Sequence, residues 1–298
     1  MIETWVLVAL AAAAVQTVRF ALQKTLRGTG LSSGGATFSR FIFAAPIALA
    51  VTAIWLIARG DPLPAFSLRF WTFVVVGGLS QVIATMATVQ LFAERNFAVG
   101  MAFTKTETIL VVLFSLVLLG EAVAPAGLAA ILIGVVGVIL LSWRTGGGRL
   151  AFFNRASGLG LLAGALFGLA AIGYRGATLE IANDSAFFRA VVTLAAVTSF
   201  QSVAMAIYLR LAQPGEMTRV AKRWRVTGLV GVTGMLGSLG WFIAFALENA
   251  AYVRALGQIE LVFSLMVSWL VFHDRSTRRE VLGMALLLLS IIVLVLVT

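Results

Sequence analysis

The sequence predicts an all-α membrane protein whose ten transmembrane helices form two inverted five-helix repeats. Three observations carry that prediction. Of 298 residues, 61% are hydrophobic and only 11% charged, against about 25% charged in a soluble domain, so there is too little polar surface to coat a globule. Apolar windows of about 20 residues, long enough to span a bilayer, recur along the whole chain. Finally, Phe103 to Glu121 overlays Leu256 to Asp274 without a gap, pairing Lys105 with Gln258, Glu107 with Glu260 and Glu121 with Asp274.

In order, the windows fall near Thr4–Leu22, Ala36–Ile57, Phe70–Phe92, Ala98–Leu119 and Ala124–Trp143, then Ser157–Leu179, Ala186–Leu211, Val226–Leu247, Ala251–Phe272 and Glu280–Val297. Residues 1–145 make the first repeat, 146–156 a connecting loop, and 157–298 the second repeat. Turn formers such as Asp61-Pro62, Gly146-Gly147-Gly148 and Gln213-Pro214-Gly215 punctuate the connections. Trp5, Trp55, Trp71, Trp143 and Trp224 fall near helix ends, where an aromatic belt would place them. The first segment lacks a basic n-region and is expected to be retained. Pro46 removes one backbone hydrogen bond inside helix 2 and should bend it. Glycines at four-residue steps in helix 6 (Gly160, Gly164, Gly168) and three-residue steps in helix 8 (Gly228 to Gly240) suit close helix packing, or room for a ligand. Five helices per half is an odd number, so the second half enters the membrane inverted. Inverted repeats bind substrate near the midplane at their interface.

The net charge of +10 sits mainly at segment ends and in short connections, as the positive-inside rule requires. The densest run, Arg219 to Arg225, suits anionic headgroups, and no soluble basic face exists for nucleic acid. The basic connections follow helices 1, 3, 5, 7 and 9, which makes that side cytoplasmic in a cell (inner) membrane and places both termini outside. With no cysteine there is no disulfide, thiolate metal site or thiol nucleophile. His273 stands alone beside Asp274 and makes no metal site. Nucleotide and hydrolase motifs are absent. The chain is therefore read as a non-enzyme without cofactor, its partners being the bilayer and a small solute, as a monomer or homodimer.

Candidate chemistry centres on Glu107 and Glu260, which lie 153 residues apart inside apolar windows. A charge at bilayer depth costs at least about 3 kcal/mol and usually has a partner or a task. Arg19 and Glu107, and from the other side Arg175 and Glu260, lie at similar expected depths of roughly 12–14 Å. The structural reading is two helix-clamping ion pairs, Arg19–Glu107 and Arg175–Glu260; the functional one is binding of a cationic group or exchange of a proton. Lys105 would suit a substrate carboxylate. Residues at i and i+2 point apart on an α-helix, so it shares a pocket with Glu107 only if the helix is irregular; Thr104 and Thr108 share the Glu107 face. Arg40 and Arg189 occupy corresponding helix starts and read as end anchors or site residues. Tyr174, Trp241, Tyr252 and Gln258 could line a central cavity.

The run Leu118-Leu119-Gly120-Glu121, followed by Pro125 and an apolar helix with Gly134 and Gly137, resembles the EamA repeat of the drug/metabolite transporter superfamily, and Arg40 matches that repeat's usual arginine. The second copy departs, reading Val271-Phe272-His273-Asp274, with Ala130 and Ser290 in place of glycines. The resemblance implies a single-chain, ten-helix carrier working by alternating access on small metabolites, often as an exporter. It also implies cytoplasmic termini, against the charge count. The expectation is a secondary transporter of an amino acid or organic cation, coupled to a proton or counter-substrate. The alternatives are an integral membrane lipid-modifying enzyme and a non-transporting structural membrane partner.

Overall fold

Without water to satisfy them, backbone polar groups must be paired within the chain, and an α-helix does this within a single segment. In the computed structural model, which describes residues 3–27, 30–60, 62–91, 104–142, 155–263, 266 and 278–297, every regular element is helical. The helices are α1 (Thr4–Arg27), α2 (Ser33–Arg59), α3 (Leu68–Leu91), α4 (Glu107–Phe114), α5 (Pro125–Ser142), α6 (Arg155–Leu179), α7 (Ala186–Ala212), the short α8 (Glu216–Lys222), α9 (Trp224–Leu247), α10 (Ala250–Leu256) and α11 (Arg278–Val297). A π-helical turn, Ser115–Leu119, extends α4, and a 3-10 turn, Gly257–Ile259, extends α10. By length and composition α2, α3, α6, α7 and α9 are each able to cross a membrane. Shorter apolar stretches occupy Thr4–Phe20, Glu107–Leu119, Pro125–Leu140 and Val281–Val297.

Helix boundaries follow local chemistry. Ser32 caps α2 by accepting the Gly35 N–H, so the helix starts three residues earlier than its apolar window. It continues through Pro46 to Gly60, whose φ of 67° is left-handed and whose N–H closes on Leu56 O. Ser185 and Asn249 cap α7 and α10 in the same way. The expected ninth helix is not one regular rod, because α10 tightens into a 3-10 turn at Gly257. Trp143, Gly146 to Gly148, His273 and Asp274 lie outside the described residues.

Packing joins the two halves of the chain: α1 lies on α9, α3 on α6, α2 on α7 and α5 on α11, with α9 also reaching α2. The α9 glycines serve this packing. A Cβ on Gly240 would meet Ala12 at 2.8 Å, and one on Gly231 would collide with Phe43. The exterior is apolar, with Ile57, Leu68, Val117, Leu211 and Leu296 among the most exposed side chains, whereas Arg19, Gln23, Arg40, Glu107 and Gln201 are buried. Apolar outside and polar inside is the arrangement of a multi-pass membrane protein.

The end of the bundle where α1 begins is called proximal, and the end where α1 finishes distal. At the distal end α8 packs under α2, and the Ser32 N–H donates to the Glu216 carboxylate at 2.9 Å. Arg219 donates to the same carboxylate at 2.7 Å. Burial pushes this carboxyl up, but the Ser32 and Arg219 hydrogen bonds outweigh it and hold it below its ordinary 4.5. A depressed carboxylate stabilises the fold above its ordinary value and loses that contribution as pH falls through the lowered native one. Glu216→Gln should therefore melt below wild type at neutral pH, the two melting temperatures converging in acid below 4.5. A difference that stays constant into acid would show that Glu216 contributes by shape and not by charge.

Candidate functional site

The interior charges gather where α4 and α10 are irregular. Residues 105 and 106 form a turn ahead of α4, and the 3-10 turn Gly257–Ile259 lies between α10 and Glu260. Such interruptions aim side chains in directions that a regular helix forbids. Glu107, 4% exposed, forms an ion pair with Arg254 of α10 at 2.5 Å. The Arg254 guanidinium lies over the Trp241 ring, 5.2 Å from its centroid. Trp241 Nε1 donates to Gln16 Oε1 at 3.1 Å, and Gln16 Nε2 donates to the Glu260 carboxylate at 2.5 Å. Gln258 Nε2 reaches Thr108 Oγ1 at 2.9 Å, joining the turn to α4. Lys105, Arg254, Glu107 and Arg19 all act electrostatically on Glu260. The cluster thus draws on α1, α4, α9 and α10.

Arg40 extends it. This side chain is 6% exposed and reaches Thr85 of α3 and Ser238 of α9. It lies seven residues into α2, about 10 Å along the axis, so it is an interior residue and not an end anchor. Arg189 is only three residues into α7, and its Nη2 donates to Ala246 O at the C-terminal end of α9. The two arginines that sequence alignment made equivalent differ in depth and in partner. Tyr174 is buried, with its ring centroid 4.4 Å from that of Phe242 and its hydroxyl accepting from Gln201. Thr104 is buried at the turn preceding α4.

Four expectations change. The pairing Arg175–Glu260 is replaced by Arg175–Glu121: Arg175 Nε and Nη2 donate to Glu121 Oε1 at 3.0 and 2.8 Å, and its Nη1 to Phe245 O. The reason is depth. Arg19 lies eight residues from the end of α1 but Arg175 only four from the end of α6, about 12 Å against 6 Å. Glu107 correspondingly pairs with Arg254 and not with Arg19, whose Nη1 donates to Gln23. Tyr252 is not a cavity wall: its hydroxyl accepts the Ala124 N–H and its ring would meet a Cβ on Gly127 at 2.6 Å, which places it at the proximal end. Lys105, set apart from Glu107 by helical phase, belongs to the same electrostatic cluster because the helix is broken there.

At the proximal end Gly120, at φ 71°, ends the π turn and turns the chain so that Glu121 meets Arg175. Glu248 sits beside it, accepting the Asn249 N–H at 2.6 Å. Burial holds the Glu248 carboxyl above its ordinary range, against the pull of that N–H and of Arg175. Arg254 and Gln16 were missed in the sequence. A charge count inside the ninth apolar window would have found Arg254, and Gln16 stands three residues before Arg19, on the same face of α1.

Residues 155–296 match the model of the EamA-like transporter family. No curated protein matches the chain in sequence. Among solved structures, one crystal structure superposes with a TM-score of 0.69 at 16% identity, covering 100% of this chain and 97% of that one. That likeness is one of fold.

Removing one partner of a buried ion pair leaves the other charged and unsatisfied, at a cost of about 3–5 kcal/mol. Arg254→Gln should therefore destabilise the purified protein strongly, and Glu107→Gln/Arg254→Gln by clearly less than the sum of the single changes. Additive single effects in thermal unfolding would mean that the two groups do not sense each other.

Proposed function

We propose, from the premise that residues 155–296 are an EamA-like transporter domain of the drug/metabolite transporter superfamily, that the whole chain is a secondary active transporter moving a small metabolite by alternating access. The single observation that carries this reading is the polar cluster of Glu107, Gln16 and Trp241, all buried, with the half-buried Arg254 and Glu260, inside a bundle whose outer surface is apolar. A charge inside a membrane bundle is a substrate, ion or proton site by default.

In this reading the chain is ten spans in two inverted five-helix repeats, residues 1–145 and 157–298. The packing supports that symmetry: α1 on α9 exchanges with α6 on α3, while α2 with α7 and α5 with α11 are pairs of repeat mates. The cluster lies between the repeats, where such carriers bind. Alternating access then requires the two ends to open in turn. The proximal end is closed by Glu121–Arg175 with Arg189, and the distal end by Ser32–Glu216 with Arg219. Each tie is a small set of surface-proximal polar contacts, which can break without disturbing the packed core. The basic distal end faces the cytoplasm, leaving both termini outside.

Glu107 and Glu260 are the proton-handling groups, with Lys105, Arg19 and Gln258 around them; Thr104, Tyr174 and Trp241 help to shape the site. A solute that competes with a proton for a carboxylate is coupled to it by simple exclusion. Of the two substrate classes expected from the sequence, an amino acid fits better than a bare organic cation, because Arg254 already neutralises Glu107. In proteoliposomes under an imposed pH gradient, Glu107→Gln and Glu260→Gln should each abolish the pH dependence of solute flux, read on the monodisperse fraction because Glu107→Gln also leaves Arg254 without its partner. Flux with unchanged pH dependence in both variants would remove the two carboxylates from the coupling mechanism.

A further inference from the structure

Among the described residues, two arginines in the central cluster are buried with only neutral groups as hydrogen-bond acceptors. Arg19 is 2% exposed and Arg40 6%. Arg19 donates to Gln23 Oε1 at 2.5 Å, and Arg40 to Ser238 Oγ at 3.2 Å and Thr85 Oγ1 at 3.5 Å. Both flank one glycine: a Cβ on Gly234 would sit 3.0 Å from Arg40 Cγ and 3.5 Å from Arg19 Cδ. Their depths agree as well. Arg19 lies eight residues before the end of α1 and Arg40 seven after the start of α2, so each is about 10–12 Å from the distal end.

The charges around them do not balance. Among the described residues the cluster holds four cations, Arg19, Arg40, Lys105 and Arg254, against two carboxylates, Glu107 and Glu260. Glu107 is engaged by Arg254, and Glu260 feels Lys105, Arg254 and Arg19 together, while neither carboxylate is a partner of Arg40 among the described residues. Arginine does not shed its proton to relieve the imbalance. Excess positive charge held out of water is sustained by an anion. A guanidinium pair offers the planar, forked donors that a carboxylate matches with two parallel hydrogen bonds.

We propose that Arg19 and Arg40 form a subsite for the carboxylate of the substrate, which makes the transported solute a small carboxylic acid or an amino acid and not an organic cation. This rests on the carrier reading above and assigns the charge of what is carried. Ser238 and Thr85 hold the Arg40 guanidinium in position, and the close approach of Gly234 lets both side chains lie along α9.

The test compares acids with their amides on the purified full-length protein. The probes are the common amino acids, lactate and benzoate, the corresponding carboxamides, and tetraalkylammonium salts, each titrated by calorimetry. At least one acid should bind while its amide and the ammonium salts do not. Arg19→Gln and Arg40→Gln should each weaken that acid by about 10- to 100-fold, with Arg40→Lys recovering part of the loss. Equal binding of acid and amide, binding of the cations alone, absence of binding by any acid, or full acid affinity in both Gln variants would overturn the subsite. If a Gln variant does not fold, the wild-type acid–amide comparison and Arg40→Lys decide. Flux of the same labelled probes in proteoliposomes separates the two proposals. A cation carried without any acid bound sinks the subsite and leaves the carrier; an acid bound with no flux of any probe sinks the carrier and leaves the subsite.

Discussion

Glu107 and Arg254 meet inside a bundle whose outer surface is built for lipid, and neither could stay there alone. Lipid supplies no counter-charge, and the attraction between the two compensates their lost hydration only when they are held in contact. That contact ties α4 to α10, places the guanidinium over Trp241 of α9, and through Trp241 and Gln16 carries the network to α1 and Glu260. Four helices from both halves of the chain are thereby committed to one small volume. The tight crossings elsewhere, such as Gly77 of α3 against Gly173 of α6, are what let long apolar helices close around so polar a centre.

Helix irregularity is the second ingredient. The turn at residues 105 and 106 brings Lys105 and Glu107 into one electrostatic cluster, which an unbroken helix would prevent. The 3-10 turn at Gly257 does the same for Arg254, Gln258 and Glu260. The π turn ending at Gly120 has a different task. It swings Glu121 back onto Arg175, which also satisfies the Phe245 carbonyl. The Leu-Leu-Gly-Glu run is therefore explained by backbone geometry: an exposed Leu118 on the apolar exterior, a Leu119 partly packed on the core, a glycine that adopts left-handed φ, and a carboxylate delivered to an arginine on the other half.

Much of this was legible in the sequence. Composition and apolar windows anticipated an all-helical, multi-pass chain, and the Glu107/Glu260 repeat drew attention to two carboxylates that share one interior cluster, because charge inside an apolar window is costly enough to stand out. Partner choice was not legible. It depends on where each helix ends, and four residues of difference between α1 and α6 moved Arg175 from the centre to the proximal end. Arg40 and Arg189 show the same limit: one pattern of neighbours, two depths. Lys105 was set aside by applying regular helical phase to a stretch that is not regular, and neutral partners such as Gln16 and Ser238 carry no signal until the helices that bear them are placed.

The chain has no native cysteine, so a single cysteine at Gln258 or Ser238 reports on the central cluster without interference. The account predicts that a membrane-impermeant thiol reagent reaches such a cysteine from either compartment, in proportions that shift when a substrate or pH gradient is imposed across the vesicle. Labelling from one compartment only, indifferent to every gradient, would contradict alternating access around this cluster.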